Sequence, residues 1–253
     1  MTRYLILTYG VACYLFFFVT FCYLIGFVEN MVVPKGIDDG PTSQGGLPWW
    51  VVNVLLLSLF AIQHTIMARP AFKEWWTRYI PKAIERSTFV LFATAILAVT
   101  AWQWRPSPVI VWEFQNPLLR NLVLGLSLAG WLLVLYATFV IDHFDLFGLR
   151  QVWDYYRGRE YHHPGFAERS VYRIVRHPLM AGFIVAFWAA PTMTQGRLLF
   201  AAVATAYILV AIRIEERDLA SILGEAYVDY RRRTPALIPL PRVRRNTSPS
   251  QSS

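Results

Sequence analysis

Arg176, His177 and Pro178 are the most chemically informative residues of the chain, because they end a polar loop and open an apolar run. Pro178 fits the first turn of a helix, where its missing N–H costs nothing. The free N–H groups beside it favour an anion. The side chains of Arg176 and His177 add donors, and the hydroxyl of Tyr172 adds another. The segment therefore predicts a carboxylate-binding site at the start of a helix.

A paired carboxylate, Glu215-Glu216, follows after one further apolar run. A carboxylate there can accept two hydroxyls of a ribose or pair with an ammonium group. The aromatic side chains of Tyr161, Phe166 and Trp188 could stack on an adenine or face a cation. Together these residues predict a ligand that carries a carboxylate, an amine, a ribose and a base.

Each signal also has a plainer interpretation. The Arg-His-Pro triplet alone is typical of a charge marking the end of a membrane span, and Glu215 or Glu216 could form surface ion pairs with Arg213 or Arg217. The order of the motifs, on either side of a short apolar turn near Gln195, favours the ligand site.

The elements that position these residues are membrane spans. The chain has 253 residues, of which 56% are hydrophobic and 16% charged, and several runs approach the ~20 residues that cross a bilayer. We expect an all-α, polytopic helical bundle of six spans, with five possible, forming a single domain over residues 1–245. Residues 246–253 are expected to be a disordered polar tail. The six expected spans are 4–28, 47–68, 87–104, 118–141, 179–193 and 197–214, and the last two are expected to form a tight helical hairpin.

Loop charges orient the bundle. Basic residues dominate the loops after the second and fourth spans and the C-terminal tail, whereas the loops after the first and third spans carry few. This alternation predicts that both termini and the two long basic loops are cytoplasmic. It also explains the net charge of +8 without nucleic acid as a partner.

Other chemistries find little support in the sequence. Cys13 and Cys22 lie nine residues apart in the first span, which places them on opposite faces of a helix. His162-His163 is a weak metal motif, because the two residues are adjacent on a loop. No metal site and no soluble nucleotide-binding domain are expected.

The C-terminal motifs resemble those of the isoprenylcysteine carboxyl methyltransferase superfamily, integral membrane enzymes that use S-adenosylmethionine. The resemblance is carried by Tyr172-x4-His177-Pro178-x3-Gly182 and Glu215-Glu216-x2-Leu219-x4-Gly224-x2-Tyr227-x2-Tyr230-x4-Pro235. It implies that S-adenosylmethionine is the cofactor. The implied cofactor-binding residues are Tyr172, Arg176, His177, Pro178, Leu179 and Glu215, with Gly165 and Phe166 from the preceding loop.

The upstream motifs resemble the bacterial methanethiol S-methyltransferases within that superfamily. They are Gln63-His64-x2-Met67-Ala68-Arg69-Pro70, Lys73-x-Trp75-Trp76, Glu85-Arg86-Ser87 and the run from His143 to Gln151. The resemblance implies a small volatile thiol as substrate, the bacterial inner membrane as location and an active site that faces the cytoplasm. The sequence does not determine the oligomeric state.

One departure bears on the substrate. The isoprenylcysteine enzymes have a substrate-contacting Arg one turn before the first Glu, where this chain has the apolar Ala211. This favours a small uncharged thiol. The alternatives are another thiol or a prenylcysteine carboxylate as acceptor, an NADPH-dependent membrane reductase with a related C-terminal pocket, and a membrane protein that is not an enzyme.

An alkyl thiol is only a few per cent ionised at pH 7, so a base or a positive charge must favour the thiolate. The candidates for this catalytic role are His143, Asp145 and Arg150 after the fourth span, and His64 near the end of the second. Their plainer interpretation is hydrogen bonding between helices.

Overall fold

The computed structural model describes residues 1–41, 46–162, 165 and 168–239, and within these ranges it is almost entirely helical. Two short strands, β1 and β2, form an antiparallel pair, and a 3₁₀ turn covers Ser170–Arg173. The elements in chain order are α1 Thr2–Glu29, α2 Trp49–Ala68, α3 Pro70–Trp76, α4 Lys82–Gln103, β1 Ile110–Glu113, α5 Pro117–Ile141, α6 His143–Leu146, α7 Leu149–Arg157, α8 Pro178–Trp188, β2 Thr192–Thr194, α9 Gln195–Leu223 and α10 Glu225–Arg233.

Within the described part of the chain, five helices are long and apolar enough to cross a membrane: α1, α2, α4, α5 and α9. They have 20 to 29 residues, which corresponds to about 30 to 44 Å of helix. The expected all-α polytopic bundle is therefore confirmed. The expected domain end at residue 245 and the tail 246–253 lie outside the described residues.

The last two predicted spans need correction. Helix α8 has 11 residues, or about 17 Å, and ends at Trp188 rather than near residue 193. The connection to α9 is not a tight turn between helices, because β2 intervenes and its Thr194 caps α9 by accepting the N–H of Arg197 at 3.1 Å. Strand pairing within an apolar segment cannot be distinguished from helix by hydropathy alone.

Helix α8 also packs mainly against α5 rather than against α9. Gly130 of α5 faces Gly182 of α8, and a Cβ atom added to either glycine would lie 2.7 Å from the carbonyl oxygen of the other. Only glycine permits this approach of two backbones. Ala186, one turn beyond Gly182, is completely buried at the same contact.

The segment from α8 to β2 runs the full length of α5 in the opposite direction. Before α8, the Tyr172 hydroxyl donates to the carbonyl of Ala137 near the end of α5, at 3.4 Å. After α8, β2 pairs with β1, which directly precedes α5. A short helix and an extended stretch together thus cover the distance that α5 covers alone.

A buried polar cluster joins α1, α5 and α9 at the end of the bundle near β1 and β2. The carboxylate of Glu29 accepts the hydroxyl of Ser127 at 2.6 Å and the indole N–H of Trp131 at 2.9 Å. Its other oxygen pairs with the Arg197 guanidinium at 3.1 Å, and the two charged side chains are 1% and 4% exposed. We refer to Glu29, Ser127, Trp131 and Arg197 as the outer cluster.

Candidate active site

The opposite end of the bundle brings together the start of α8, the end of α9 and helix α10. The backbone N–H groups of Arg176 and His177 donate to the carbonyls of Pro235 at 2.9 Å and Ala236 at 3.0 Å. Pro178 occupies the first turn of α8. The segment that follows α10 therefore fixes the position of His177, and we refer to this region as the inner site.

Protein acceptors take four of the five N–H donors of the Arg176 side chain, which is 6% exposed. Its Nε and Nη2 atoms both donate to Glu216, at 2.8 and 2.5 Å. Its Nη1 atom donates to the carbonyls of Arg231, at 3.0 Å, and Thr234. Most of the hydrogen-bonding capacity of Arg176 therefore holds the site together.

The two adjacent carboxylates have different surroundings. Glu216 accepts from Arg176 and also lies 3.0 Å from Nε2 of His177. The side chain of Glu215 is 48% exposed and lies 3.8 Å from Nδ1 of His177, which is too far for a hydrogen bond. Within the described residues Glu215 has no hydrogen-bond partner, whereas Glu216 is 13% exposed and uses its Oε1 atom for all of these contacts, so Glu215 is the more accessible carboxylate for a ligand.

Tyrosines close the inner site on the side of α10. The Tyr230 hydroxyl donates to the carbonyl of Tyr172 at 2.6 Å. Burial and the nearby Glu215 carboxylate raise the pKa of Tyr172 above its ordinary value. Burial, with a contribution from Glu168, raises the pKa of Tyr230 to about 12. Both phenols therefore keep their protons at neutral pH and can act as hydrogen-bond donors.

The start of α8 fits an anion. In the part of the chain that the structure describes, the N–H groups of Leu179 and Met180 have no backbone acceptor, as is usual for the first turn of a helix. Such groups attract a carboxylate. The free N–H groups of α8 and the free carboxylate of Glu215 match the amino-acid and ribose ends of S-adenosylmethionine, so the chemistry of these residues fits the expected cofactor.

The other expected ligand contacts are scattered. Gly165 is exposed, and Phe166 lies outside the described residues. Trp188 stands at the far end of α8, about 15 Å from Pro178, and donates to Thr205 at 2.9 Å. Tyr161 donates to Asp145 at 2.7 Å. Of the three aromatic candidates, Trp188 is thus remote from the inner site.

His143 is enclosed by protein partners. Its Nε2 atom lies 2.9 Å from the Tyr14 hydroxyl and its Nδ1 atom lies 2.8 Å from the Thr138 hydroxyl. Its ring stacks on Phe139 with the centroids 4.4 Å apart. Burial lowers the pKa of His143, against the effect of Asp142. This arrangement is that of a neutral imidazole packed between helices.

Arg150 and Asp145 are likewise committed to neighbours. Arg150 pairs with Asp142 at 2.5 Å and is 42% exposed, and this hydrogen bond raises the pKa of Arg150. The carboxylate of Asp145 is buried and accepts from Tyr161 and, at 3.3 Å, from Gln151. The structure thus groups Asp145 with Tyr161, while the Arg150 side chain turns to Asp142.

His64 occupies a different position, between α2 and α9. Its Nδ1 atom lies 3.0 Å from the Tyr207 hydroxyl, and its ring lies against Phe60 and Phe89, with centroids at 5.3 and 4.9 Å. No described residue bonds to its Nε2 atom. Of the four proposed catalytic residues, His64 is the one whose helix, α2, packs against α9, the helix that carries Glu215.

Two basic residues of the loop after the second span, Arg69 and Lys73, lie near His64 and Glu215. As loop charges they had predicted only the orientation of the bundle. Arg69 pairs with Asp218 of α9 at 2.9 Å and lies within electrostatic range of Glu215. Burial lowers the pKa of Lys73, with the positive charges of Arg86 and Arg69 adding to this effect and Glu85 opposing it. Their place in the Arg69-Pro70 and Lys73-x-Trp75 motifs was the sequence signal that they belong to this region.

The sequence did not predict the outer cluster, because Glu29 and Arg197 stand at span ends, where charged residues are usual.

Comparison with known proteins identifies the family. The model of the NnrU protein family matches residues 52–232. The methanethiol S-methyltransferase of Mycobacterium tuberculosis is 52% identical over 95% of this chain and 98% of its own length. Methanethiol S-methyltransferase 1 of Bradyrhizobium diazoefficiens is 51% identical over 94% of this chain and 83% of its own length.

A more distant relative is nurim of Mus musculus, which is 30% identical over 66% of each chain. No solved structure matches the chain. The matched region contains His64, His143, His177 and Glu215, so it includes the inner site and the helices around it. From the family match and the near-complete coverage of these relatives, the chain belongs to the NnrU family and, within it, to the methanethiol S-methyltransferases.

Proposed function

We propose that this protein methylates methanethiol to dimethyl sulfide with S-adenosylmethionine as the methyl donor. The observation that carries the proposal is its identity of about half, over nearly the whole chain, to proteins named methanethiol S-methyltransferase. The open carboxylate of Glu215 beside the free first turn of α8 supports the choice of cofactor.

Each residue of the inner site has a defined part in binding. Glu215 accepts the ribose hydroxyls, and the N–H groups of Leu179 and Met180 donate to the carboxylate of the amino-acid end. The hydroxyl of Tyr172, which donates to the carbonyl of Ala137 at 3.4 Å, would donate to the ligand by exchanging this long bond. His177 stands beside Glu215, with its Nδ1 atom 3.8 Å from that carboxylate, and would lie next to the bound cofactor, while Glu216 holds its ring at 3.0 Å. Arg176 contributes indirectly, because it ties Glu216 to the residues that follow α10.

The reaction needs positioning and the exclusion of water more than strong acid–base chemistry. When bound, S-adenosylmethionine supplies a methyl group on a positively charged sulfur. Attack by a thiolate neutralises both charges, so a dry surrounding need not oppose it. Phe60 and Phe89 lie against the His64 ring and would exclude water from a thiol bound beside it, and holding the two reactants in line lowers the entropic part of the barrier.

The side chains along one face of α9 favour a small methyl acceptor. Tyr207, Ala211 and Glu215 recur at intervals of four residues, which places them along one face of the helix. A methyl group at Ala211 leaves space there without a charge. A small neutral thiol fits this face better than a prenylcysteine carboxylate, which would require a cation.

We also propose that the chain crosses the inner membrane six times, with both termini and the inner site in the cytoplasm, where the cofactor is made. Val32, at the end of α1, is 99% exposed, and Tyr79, between α3 and α4, is 69% exposed. In a Cys22→Ser background, Val32→Cys should react with an impermeant thiol reagent in intact cells and Tyr79→Cys should not. The reverse labelling would overturn the orientation.

Methyl transfer by purified protein tests the function. S-adenosylmethionine with a deuterated methyl group and methanethiol should give deuterated dimethyl sulfide in the headspace, detected by mass spectrometry. The Glu215→Ala variant should give much less. Methylation of a larger thiol or of a prenylcysteine but not of methanethiol would assign another acceptor. Reduction that depends on NADPH, without methyl transfer, would replace the proposal with a reductase.

A further inference from the structure

The imidazole of His64 is held in place on one side and free on the other. On the held side, Nδ1 lies 3.0 Å from the Tyr207 hydroxyl, which itself lies 3.4 Å from the hydroxyl of Thr65. On the other side, Nε2 has no partner among residues 1–41, 46–162, 165 and 168–239. The rings of Phe60 and Phe89 restrict the imidazole plane. A histidine fixed through one nitrogen can exchange a proton through the other.

His64 lies between α2 and α9, and α9 is the helix that carries Glu215 of the inner site. On α9, Tyr207 and Glu215 are two helical turns apart on one face, a separation of about 12 Å, with Ala211 midway. Two contacts show that α2 and the segment after it run along α9 in the same direction. The His64 ring lies 3.0 Å from the Tyr207 hydroxyl, and further along both segments Arg69 pairs with Asp218. A cofactor anchored at Glu215 and a thiol over Ala211 would therefore have His64 at the thiol end.

The charged groups around this imidazole are few in the described structure. Arg86 of α4 is the charged group that faces His64, and its guanidinium lies over the Phe89 ring at 4.9 Å. From α9 only Tyr207 faces it, and Arg69 lies within electrostatic range of Tyr207. No described carboxylate bonds to His64, so no anion competes with a thiolate beside it.

The other candidates for proton transfer are already engaged. Both ring nitrogens of His143 have partners, and Nε2 of His177 lies 3.0 Å from Glu216. Asp145 accepts the Tyr161 hydroxyl, and Arg150 is paired with Asp142.

We propose that His64 is the proton acceptor for the thiol substrate and that Tyr207 is its positioning residue, a proposal that rests on the proposed function. The proposal requires the tautomer with its proton on Nδ1: that N–H donates to the Tyr207 oxygen, which also accepts from Thr65, and Nε2 presents its lone pair to the thiol. The S–H bond breaks, its proton passes to Nε2, and the sulfur electron pair forms the new bond to the methyl carbon. The bond from that carbon to the sulfonium sulfur breaks at the same time, and the imidazolium later releases its proton to water.

The test compares two thiols in one variant. Because a general base typically contributes about 10²–10⁴-fold, His64→Gln should lower turnover of methanethiol at pH 7 by at least about 10²-fold. Turnover of a second small thiol, whose lower pKa leaves it largely ionised at pH 7, should fall far less, and a rise in pH should restore part of the methanethiol turnover. The affinity for S-adenosylhomocysteine should not change. His162→Gln, at an exposed position, is the matched control and should behave like the wild type with both thiols.

Each outcome decides the assignment. If the wild type transfers no methyl group to any thiol, the proposed function fails. If the wild type is active and His64→Gln keeps its methanethiol turnover, or loses turnover equally with both thiols, His64 is not the proton acceptor. Should His64→Gln fail to fold, Tyr207→Phe carries the test: a smaller loss confined to methanethiol supports the assignment, and an equal loss with both thiols contradicts it.

Discussion

Two polar clusters inside the same bundle differ in how completely their partners are satisfied. In the outer cluster both oxygens of Glu29 are used, by Ser127, Trp131 and Arg197, and the charged side chains are buried, although Nε of Arg197 has no partner within the described residues. In the inner site Glu216 is bonded by Arg176 and His177, but the adjacent Glu215 is 48% exposed and has no hydrogen-bond partner within the described residues. Burying a charge is costly unless it is paired, so we expect the buried Glu29–Arg197 pair to stabilise the fold and the exposed carboxylate of Glu215 to bind a ligand.

The largest expected effect concerns the closed cluster. Replacing Glu29 with Ala leaves the guanidinium of Arg197 buried without a counter-charge, which should cost about 3–5 kcal/mol of stability. Thermal unfolding in detergent would measure the loss. The control is Asp229→Ala, which removes an exposed pair with Arg232 and should cost at most about 1 kcal/mol. Equal stability of the two variants would contradict the structural role of the cluster.

The contact between α5 and α8 links the two clusters and should be the next most sensitive. Gly182→Ala brings a Cβ atom to 2.7 Å from the carbonyl oxygen of Gly130, and such overpacking should destabilise by about 1–3 kcal/mol. Gly125→Ala makes the same change in open space on α5 and should be neutral or stabilising by up to about 1 kcal/mol. Unfolding temperatures of both variants test the pair. A stable Gly182→Ala would show that the helices do not approach so closely.

A smaller effect should follow pH through His143. Burial holds the folded-state pKa of His143 below its ordinary value of 6.5, so the unfolded chain takes up a proton first as pH falls. Stability is therefore full above about pH 6.5 and should decline as pH falls from there toward the folded-state pKa. His143→Gln should flatten this decline when unfolding is measured across the range. An unchanged pH dependence would assign the decline to other groups.

The sequence predicts the fold and the inner site to different depths. Hydropathy and loop charge identify the long helices, because each of these helices is a continuous apolar run bounded by polar or charged loops. They fail at α8, where Gly182 and the pairing of Thr192 with Glu113 decide the geometry through contacts distant in sequence. The Glu215-Glu216 pair was recognised, but which carboxylate is free depends on Arg176, whose side chain reaches Glu216 only after α10 folds back.

The same reasoning applies to the proposed proton acceptor. The sequence pointed to His143 as the base and Arg150 as the positive charge, with Asp145 and His64 as further candidates, because each is a polar residue near a span end. Tertiary contacts distinguish them: His143 lies between two hydroxyl groups, whereas Nε2 of His64 has no partner within the described residues. Residue types thus predict which side chains are candidates for proton transfer, and tertiary contacts determine which candidate keeps an atom without a protein partner.

The central claim is that the free carboxylate of the inner site binds the cofactor. Calorimetric titration of S-adenosylhomocysteine into wild-type protein and Glu215→Ala tests it most directly, with thermal unfolding as the check on folding. A hydrogen bond to a charged group contributes about 1.5–3 kcal/mol, so Glu215→Ala should bind about 10- to 150-fold more weakly at unchanged stability. A folded Glu215→Ala variant that binds S-adenosylhomocysteine as tightly as the wild type would contradict the account.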